Sequence, residues 1–205
     1  ALAQTTTDIS IAAGGTYEVT ATNTLTGCET TKTIVVNESE FPLFDLDDLT
    51  VFDLTGDGSN RIEVLTGIGA LGIGDYEFAL DGGAYQNSPV FEDVPPGIHQ
   101  VSVRDKNGCG TKSVAASVIG YPLYFTPNGN GQDDNWHVLG VNGVFQSQSL
   151  IYIFDRHGRL LAQIKTNGPG WDGTYNGTPM PADDYWFRVG LEDGRTFTGH
   201  FSLIR

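Results

Sequence analysis

Apolar side chains recur at every second position through most of this chain. In the last strand-like run Phe197, Gly199, Phe201 and Leu203 share one face, while Thr198, His200 and Ser202 share the other. That is the period of a pleated strand with one covered side. Short runs of the same kind are Val51 to Leu54, Arg61 to Leu65, Tyr76 to Leu80, Val101 to Val103, Ile151 to Phe154, Leu160 to Ile164 and Tyr185 to Leu191. Between them stand turn residues: Gly56-Asp57-Gly58, Asp81-Gly82-Gly83, Pro95-Pro96-Gly97, Asp155-Arg156-His157-Gly158-Arg159 and Glu192-Asp193-Gly194-Arg195. Short strands punctuated by Asp-Gly and Pro-Gly predict antiparallel β-sandwiches. No ten-residue stretch carries a 3.6-residue period, so the chain is expected to be all β.

Two segments repeat. Gly15-Thr16-Tyr17-Glu18-Val19-Thr20-Ala21-Thr22 leads to Gly27-Cys28 and a strand through Val36; Gly97 to Asp105 leads to Gly108-Cys109 and a strand through Ile119. The glycines Gly15 and Gly97 are 82 residues apart and the cysteines Cys28 and Cys109 are 81 apart, so the match needs a one-residue insertion. A period near 80 suits a small sandwich better than a helical solenoid unit of roughly 20 to 50 residues. The expected organisation is the C-terminal part of one repeat over residues 1–39, a full repeat over 40–119 and a third unit over 120–205. The first copy is too short for a sandwich, which makes the chain read as the C-terminal piece of a longer protein.

Composition narrows the function classes. The 205 residues hold 11 Lys and Arg against 25 Asp and Glu, a formal charge of −14. Such a balance argues against nucleic-acid binding and against electrostatic docking on anionic lipid. The 39% hydrophobic and 11% aromatic content is too apolar for a disordered acidic tail. No apolar run approaches the ~20 residues of a membrane-spanning helix, and the first residues show neither the basic nor the apolar region of a signal peptide. The 27 glycines fall largely in turns.

Candidate chemistry is sparse. His99, His137, His157 and His200 lack metal-ligand spacing, and no nucleophile elbow or phosphate loop is present. Asp183 and Asp184 read as solvated turn residues rather than a glycosidase pair. Trp186 lies inside a strand pattern and reads as core; Trp136, Trp171 and Trp186 are also the residues that could stack on a sugar. Cys28 and Cys109, equivalent in successive repeats, are not expected to bond to each other and read as small buried thiols. Thr126 to Trp136 is the distinctive stretch. Its Asn128, Asn130, Asp133 and Asp134 are candidate Ca²⁺ ligands; the competing reading is an Asn/Gly turn network that satisfies its own backbone. Asp53-Leu54-Thr55-Gly56-Asp57-Gly58 is a second, weaker candidate.

The run Phe125-Thr126-Pro127-Asn128-Gly129-Asn130-Gly131-Gln132-Asp133-Asp134-Asn135-Trp136 resembles the opening motif of the gliding-motility-associated C-terminal domain. Ile151 to Gly158, Trp171-Asp172-Gly173-Thr174-Tyr175-Asn176-Gly177 and Pro179 to Trp186 follow in the same order as that family's other motifs. The family is the type B sorting signal of the type IX secretion system in Bacteroidetes. Asn130 stands where the family usually has Asp, and Asp133 where it often has Asn. Residues 1–119 are similar to the Ig-like repeats that precede this domain in SprB-type surface adhesins. The resemblance implies a non-catalytic export address on a cell-surface protein whose precursor has a signal peptide upstream of this piece. It implies partners in the outer membrane: a PorV-like shuttle barrel and a PorP/SprF-like protein. The expected contact residues are Phe197, Phe201, Leu203, Ile204 and Arg205 on the last strand, then Trp171, Asp172 and Gly173. A calcium-dependent carbohydrate-binding sandwich is the alternative from another class.

Overall fold

The computed structural model describes residues 10–54, 59–67, 69–192 and 194–205. The Gly56-Asp57-Gly58 turn, most of the second calcium candidate and Asp193 therefore lie outside the described residues. Among the described residues the regular structure is strand, apart from one 3₁₀ turn, Leu46–Asp48. This is an all-β protein, as the alternating pattern predicted.

The first hairpin joins β1 (Gly15–Thr22) to β2 (Glu29–Val36). The second unit contains β3 (Leu49–Phe52), β4 (Arg61–Val64), β5 (Tyr76–Leu80), β6 (Val90–Phe91), β7 (Gly97–Asp105) and β8 (Thr111–Val118). Its strands form two sheets, β3-β4-β6 and β5-β7-β8. Their inner faces meet in a core of Phe44, Ile62, Val64, Phe78, Val101, Val103, Ala116 and Val118. Asp81 and Gly82 both take positive φ, 51° and 71°, as a tight turn after β5 requires, and Gly83 N–H closes it on Leu80 O at 2.8 Å.

The two repeated hairpins share one register. Gly15 pairs with Val36 and Thr22 with Glu29; Gly97 pairs with Val118 and Arg104 with Thr111. Both strands thus keep an offset of 82 residues and the two loops between them are equally long, so the cysteines, 81 apart, are out of step by one position within loops of the same length. Both cysteines lie at the hairpin tips and are exposed, unbonded thiols. That corrects the buried reading: β1 and β2 are exposed along nearly their whole length, and Cys109 lies in the turn beyond the paired residues of β7 and β8. Cys109 Sγ reaches only the carbonyl of Ser39, at 3.2 Å.

The third unit holds β9 (Tyr124–Phe125), β10 (Leu150–Phe154), β11 (Leu160–Lys165), β12 (Thr174–Tyr175), β13 (Thr178–Pro179), β14 (Asp183–Gly190) and β15 (Thr196–Leu203). Five of them form one sheet in the order β11-β10-β14-β15-β9. All its pairs are antiparallel except β15 with β9, which run parallel through Ser202–Tyr124 and Leu203–Phe125. Tyr185, Phe187 and Val189 of β14 point inward, as do Phe201 and Leu203 of β15. The loops between strands cover them with Trp136 and Trp171, giving a separate core rich in aromatic rings.

Candidate partner interface

The four motif runs of the C-terminal unit meet in that core. Trp136 and Trp171 exchange backbone hydrogen bonds at 2.9 and 2.8 Å, which ties the Asn-Gly loop to the Trp-Asp-Gly turn. Trp136 stacks on Phe201 with ring centres 4.0 Å apart and 14° between planes. Trp171 meets Tyr185 edge-on at 5.0 Å. Each indole N–H is satisfied where it is buried: Trp136 donates to Pro122 O at 2.9 Å and Trp171 to Thr174 O at 2.8 Å. Buried indoles need such partners, and here the neighbouring chain supplies them. Neither tryptophan is available as a sugar platform.

Trp186 does not join them. The strand alternation that buries Tyr185 and Phe187 turns Trp186 to the opposite side, 42% exposed. Reading it as core is corrected by this geometry; the sequence shows alternation but not which side of it is covered. Asp183 and Asp184 also differ from expectation, since they open β14 rather than sit in a turn. Asp183 pairs with Arg156 at 3.4 Å, and Asp184 accepts the Ser202 hydroxyl at 2.6 Å.

Of the residues expected to contact a partner, Trp171, Asp172, Gly173, Phe201, Leu203, Ile204 and Arg205 lie toward one end of the domain, whereas Phe197 sits at the other end of β15, paired with Val189 and packed on Tyr121 and Phe187. Arg205 folds back to donate from Nε to Met180 O at 2.9 Å and from Nη2 to Gly173 O at 3.4 Å. Gly173 has φ +76°, and an added Cβ would lie 2.8 Å from Leu203 Cδ1 and 3.3 Å from Phe125. Asp172 Oδ1 accepts from the Thr174 amide at 3.0 Å and the Thr174 hydroxyl at 2.9 Å, closing the turn. Trp171, Gly173, Phe201 and Leu203 are buried and Phe197 is partly buried. Asp172, Ile204 and Arg205 are exposed. Leu123 and Tyr124, on and beside β9, are exposed there as well and were not singled out from the sequence. No local pattern marks them, because Leu123, Tyr124 and Phe125 form an unbroken apolar run in the sequence.

The last strand is covered along only half its length. Ser202 N–H donates to Leu123 O at 2.8 Å and Ile204 N–H to Phe125 O at 3.0 Å. Even-numbered amides of β15 therefore face away from β14, and the two-residue β9 ends before reaching Thr198 and His200. Among the described residues those two amides have no partner, so Thr196 to His200 is an open sheet edge.

The Asn-Gly loop is organised around its own amides. Asp134 Oδ1 accepts from Asn128 and Gly129 N–H at 2.9 and 2.6 Å, and Oδ2 from Gly131 N–H at 2.7 Å. Asn128 Oδ1 takes the Asn130 amide at 3.0 Å, and Asn130 Oδ1 takes the Gln132 amide at 2.8 Å. The amides of Gly129 and Gly131 hold the Asp134 carboxyl below its ordinary range. Asp133, with φ 50°, contributes its carbonyl to Thr126 N–H at 2.7 Å. Three of the four candidate calcium ligands thus hold loop amides. Among the described residues no cluster of three or more His, Cys, Asp or Glu could hold a metal.

Against known proteins, residues 119–203 match the CHU_C family, a type IX secretion signal domain. The C-terminal unit, rather than the whole chain, carries this match. No curated protein matches the chain. Dimeric latent PorU from Porphyromonas gingivalis aligns at 15% identity and a TM-score of 0.32, covering 97% of this chain and 24% of that one. The BSP domain of a biofilm-associated protein aligns at 14% identity and a TM-score of 0.28, covering 78% of this chain and 30% of that one. The chain thus spans under a third of either protein.

Proposed function

We propose that residues 120–205 are a folded, non-catalytic export address, read at the outer membrane by the type IX secretion system. The observation that carries this reading is the match of residues 119–203 to a type IX secretion signal domain. The motif runs are consistent with it: they build an aromatic core and two tight turns, not a reaction centre. The protein bearing the address is a surface adhesin of the SprB type from a Bacteroidetes, with residues 40–119 as an Ig-like repeat and residues 1–39 as the end of another. The shared register of the two hairpins supports the repeat.

The partners in this reading are a PorV-like shuttle barrel and a PorP/SprF-like protein. They meet the end of the domain where Asp172, Ile204 and Arg205 are exposed beside Leu123 and Tyr124. Trp171, Gly173, Phe201 and Leu203 act from beneath by holding that surface in shape. A partner strand adds along Thr196 to His200, whose amides face outward. The test is a secreted reporter ended with the full 205-residue chain. Delivery to the surface or medium is expected in a type IX-competent host; equal delivery from a type IX-deficient strain refutes the reading.

A further inference from the structure

The outer face of the five-stranded sheet presents a surface that the contact above does not use. Register sets its side chains in rows across four strands. Leu160 stands beside Phe154, Phe154 beside Trp186 and Trp186 beside His200. The adjoining row brings Tyr152 next to Arg188. Trp186 is 42% and Leu160 45% exposed, and the Trp186 ring lies 6.4 Å from the His200 ring. None of this apolar area fills the domain core, which the opposite face of the same strands completes.

Charge on this face differs from the rest of the chain. Residues 1–119 hold 17 acidic against 5 basic side chains, and residues 120–205 hold 8 against 6. Arg188 and Lys165 both point outward here, exposed, and neither side chain has a hydrogen bond or ion pair among the described residues. The carboxylate nearest them on the face, Asp184, is already engaged by Ser202. An aromatic row flanked by uncommitted cations therefore remains in a strongly acidic protein.

We propose that this face docks a protein whose surface offers an apolar groove rimmed by carboxylates. The inference rests on the secretion-signal reading and adds a second contact of the same address. Exposed Trp186 and Arg188 beside half-buried Tyr152 present the residue types that dominate binding energy in protein interfaces. The unpaired guanidinium of Arg188 suits a bidentate carboxylate, and Lys165, two strands away on the same face, adds a point charge. A glycan fits less well, because Leu160 and Phe154 at one end of the row offer no hydrogen-bonding group to its hydroxyls.

The test uses the reporter carrying the full chain, with Trp186→Ser in one variant and Arg188→Glu with Lys165→Glu in another. These side chains lie outside the core, so both variants should melt with the wild type. Export in the type IX-competent host should fall at least about tenfold, the scale of an interface hot spot, and Arg188→Lys should retain part of it. Wild-type export by correctly folded variants overturns the docking surface, while the wild-type chain still tests the sorting reading separately in the deficient host. If Trp186→Ser melts lower, the charge-reversed variant decides the matter alone. Export that is instead blocked by added host surface polysaccharide assigns the face to a glycan and overturns the protein partner.

Discussion

Gly173 shows at residue scale how a position can belong to a recognition motif and act through packing. Its φ of +76° and the approach of Leu203, Phe125 and Pro127 leave no room for a Cβ. Gly173→Ala should cost about 2 kcal/mol or more through strain and overpacking together, read as a lowered melting temperature of the C-terminal unit. Asp105 is the matching case in the second unit. The Ser39 hydroxyl, 2.5 Å away, is the largest influence holding its carboxyl down to about 2, with the Cys109 and Asp75 amides adding to it. A depressed carboxyl pKa contributes stability above its unfolded value near 3.9, and that stability is lost as pH falls through the folded value. Thermal stability of the second unit should therefore drop between about pH 4 and pH 2, and Asp105→Asn should be less stable at neutral pH yet flatter across that window. In the Asn-Gly loop, where Asp134 already holds three amides, melting curves with calcium and with chelator should coincide. A calcium-dependent rise would mean that Asn128, Asn130, Asp133 and Asp134 rearrange into a cage.

At the scale of elements, β15 has two distinct sides that a proline scan can separate. Odd-numbered amides bond to β14, and even-numbered ones face β9 or, at Thr198 and His200, open solvent. Thr198→Pro removes a donor that has no partner among the described residues, so stability should change little while strand addition is blocked. Phe197→Pro removes a ladder bond and should cost about 3 kcal/mol or more. Export lost in the first variant at near wild-type stability identifies the edge as a contact; retained export leaves only the domain end and the outer face. The strands themselves were legible in the sequence because period-two alternation and Asp-Gly turns are local signals. What alternation could not convey was which side of a strand is covered. Trp186 was read as core for that reason, although Phe197 to Leu203 in the neighbouring strand were assigned to the correct face. The cysteine tips failed for a related reason, since burial there depends on whether anything packs over the hairpin tip. The convergence of Gly173, Leu203 and Arg205 was half legible: the motifs named the residues, but only the fold joins them through Arg205.

The units of the whole molecule are joined by side chains that no local pattern marks. Asp53 follows β3 and its side chain is 1% exposed; its Oδ2 accepts the Ile119 amide at 2.9 Å and its Oδ1 the Arg195 guanidinium at 2.5 Å. One carboxylate thus ties the second unit to the chain entering the third and to the β14–β15 hairpin, across 142 residues of sequence. Leu54, next to it, packs on the C-terminal core, and the Ser117 hydroxyl donates to Gly140 O at 2.6 Å from the other side of the junction. From the sequence Asp53 looked like the start of an Asp-Gly loop, and its role became visible only once strand packing brought Arg195 to it. A buried carboxylate of this kind is costly to remove, because the buried Ile119 amide loses its acceptor and the Arg195 ion pair is broken. Asp53→Ala should therefore destabilise the junction by about 2 kcal/mol, and it should do so unevenly. The two cores are separate, so weakening their tie should split a single calorimetric transition into two, the lower reporting one unit and the upper the other. A single transition shifted as a whole would mean that the cores remain coupled through Ser117, Gly140 and Leu54. In that case the export address is mechanically inseparable from the repeat before it.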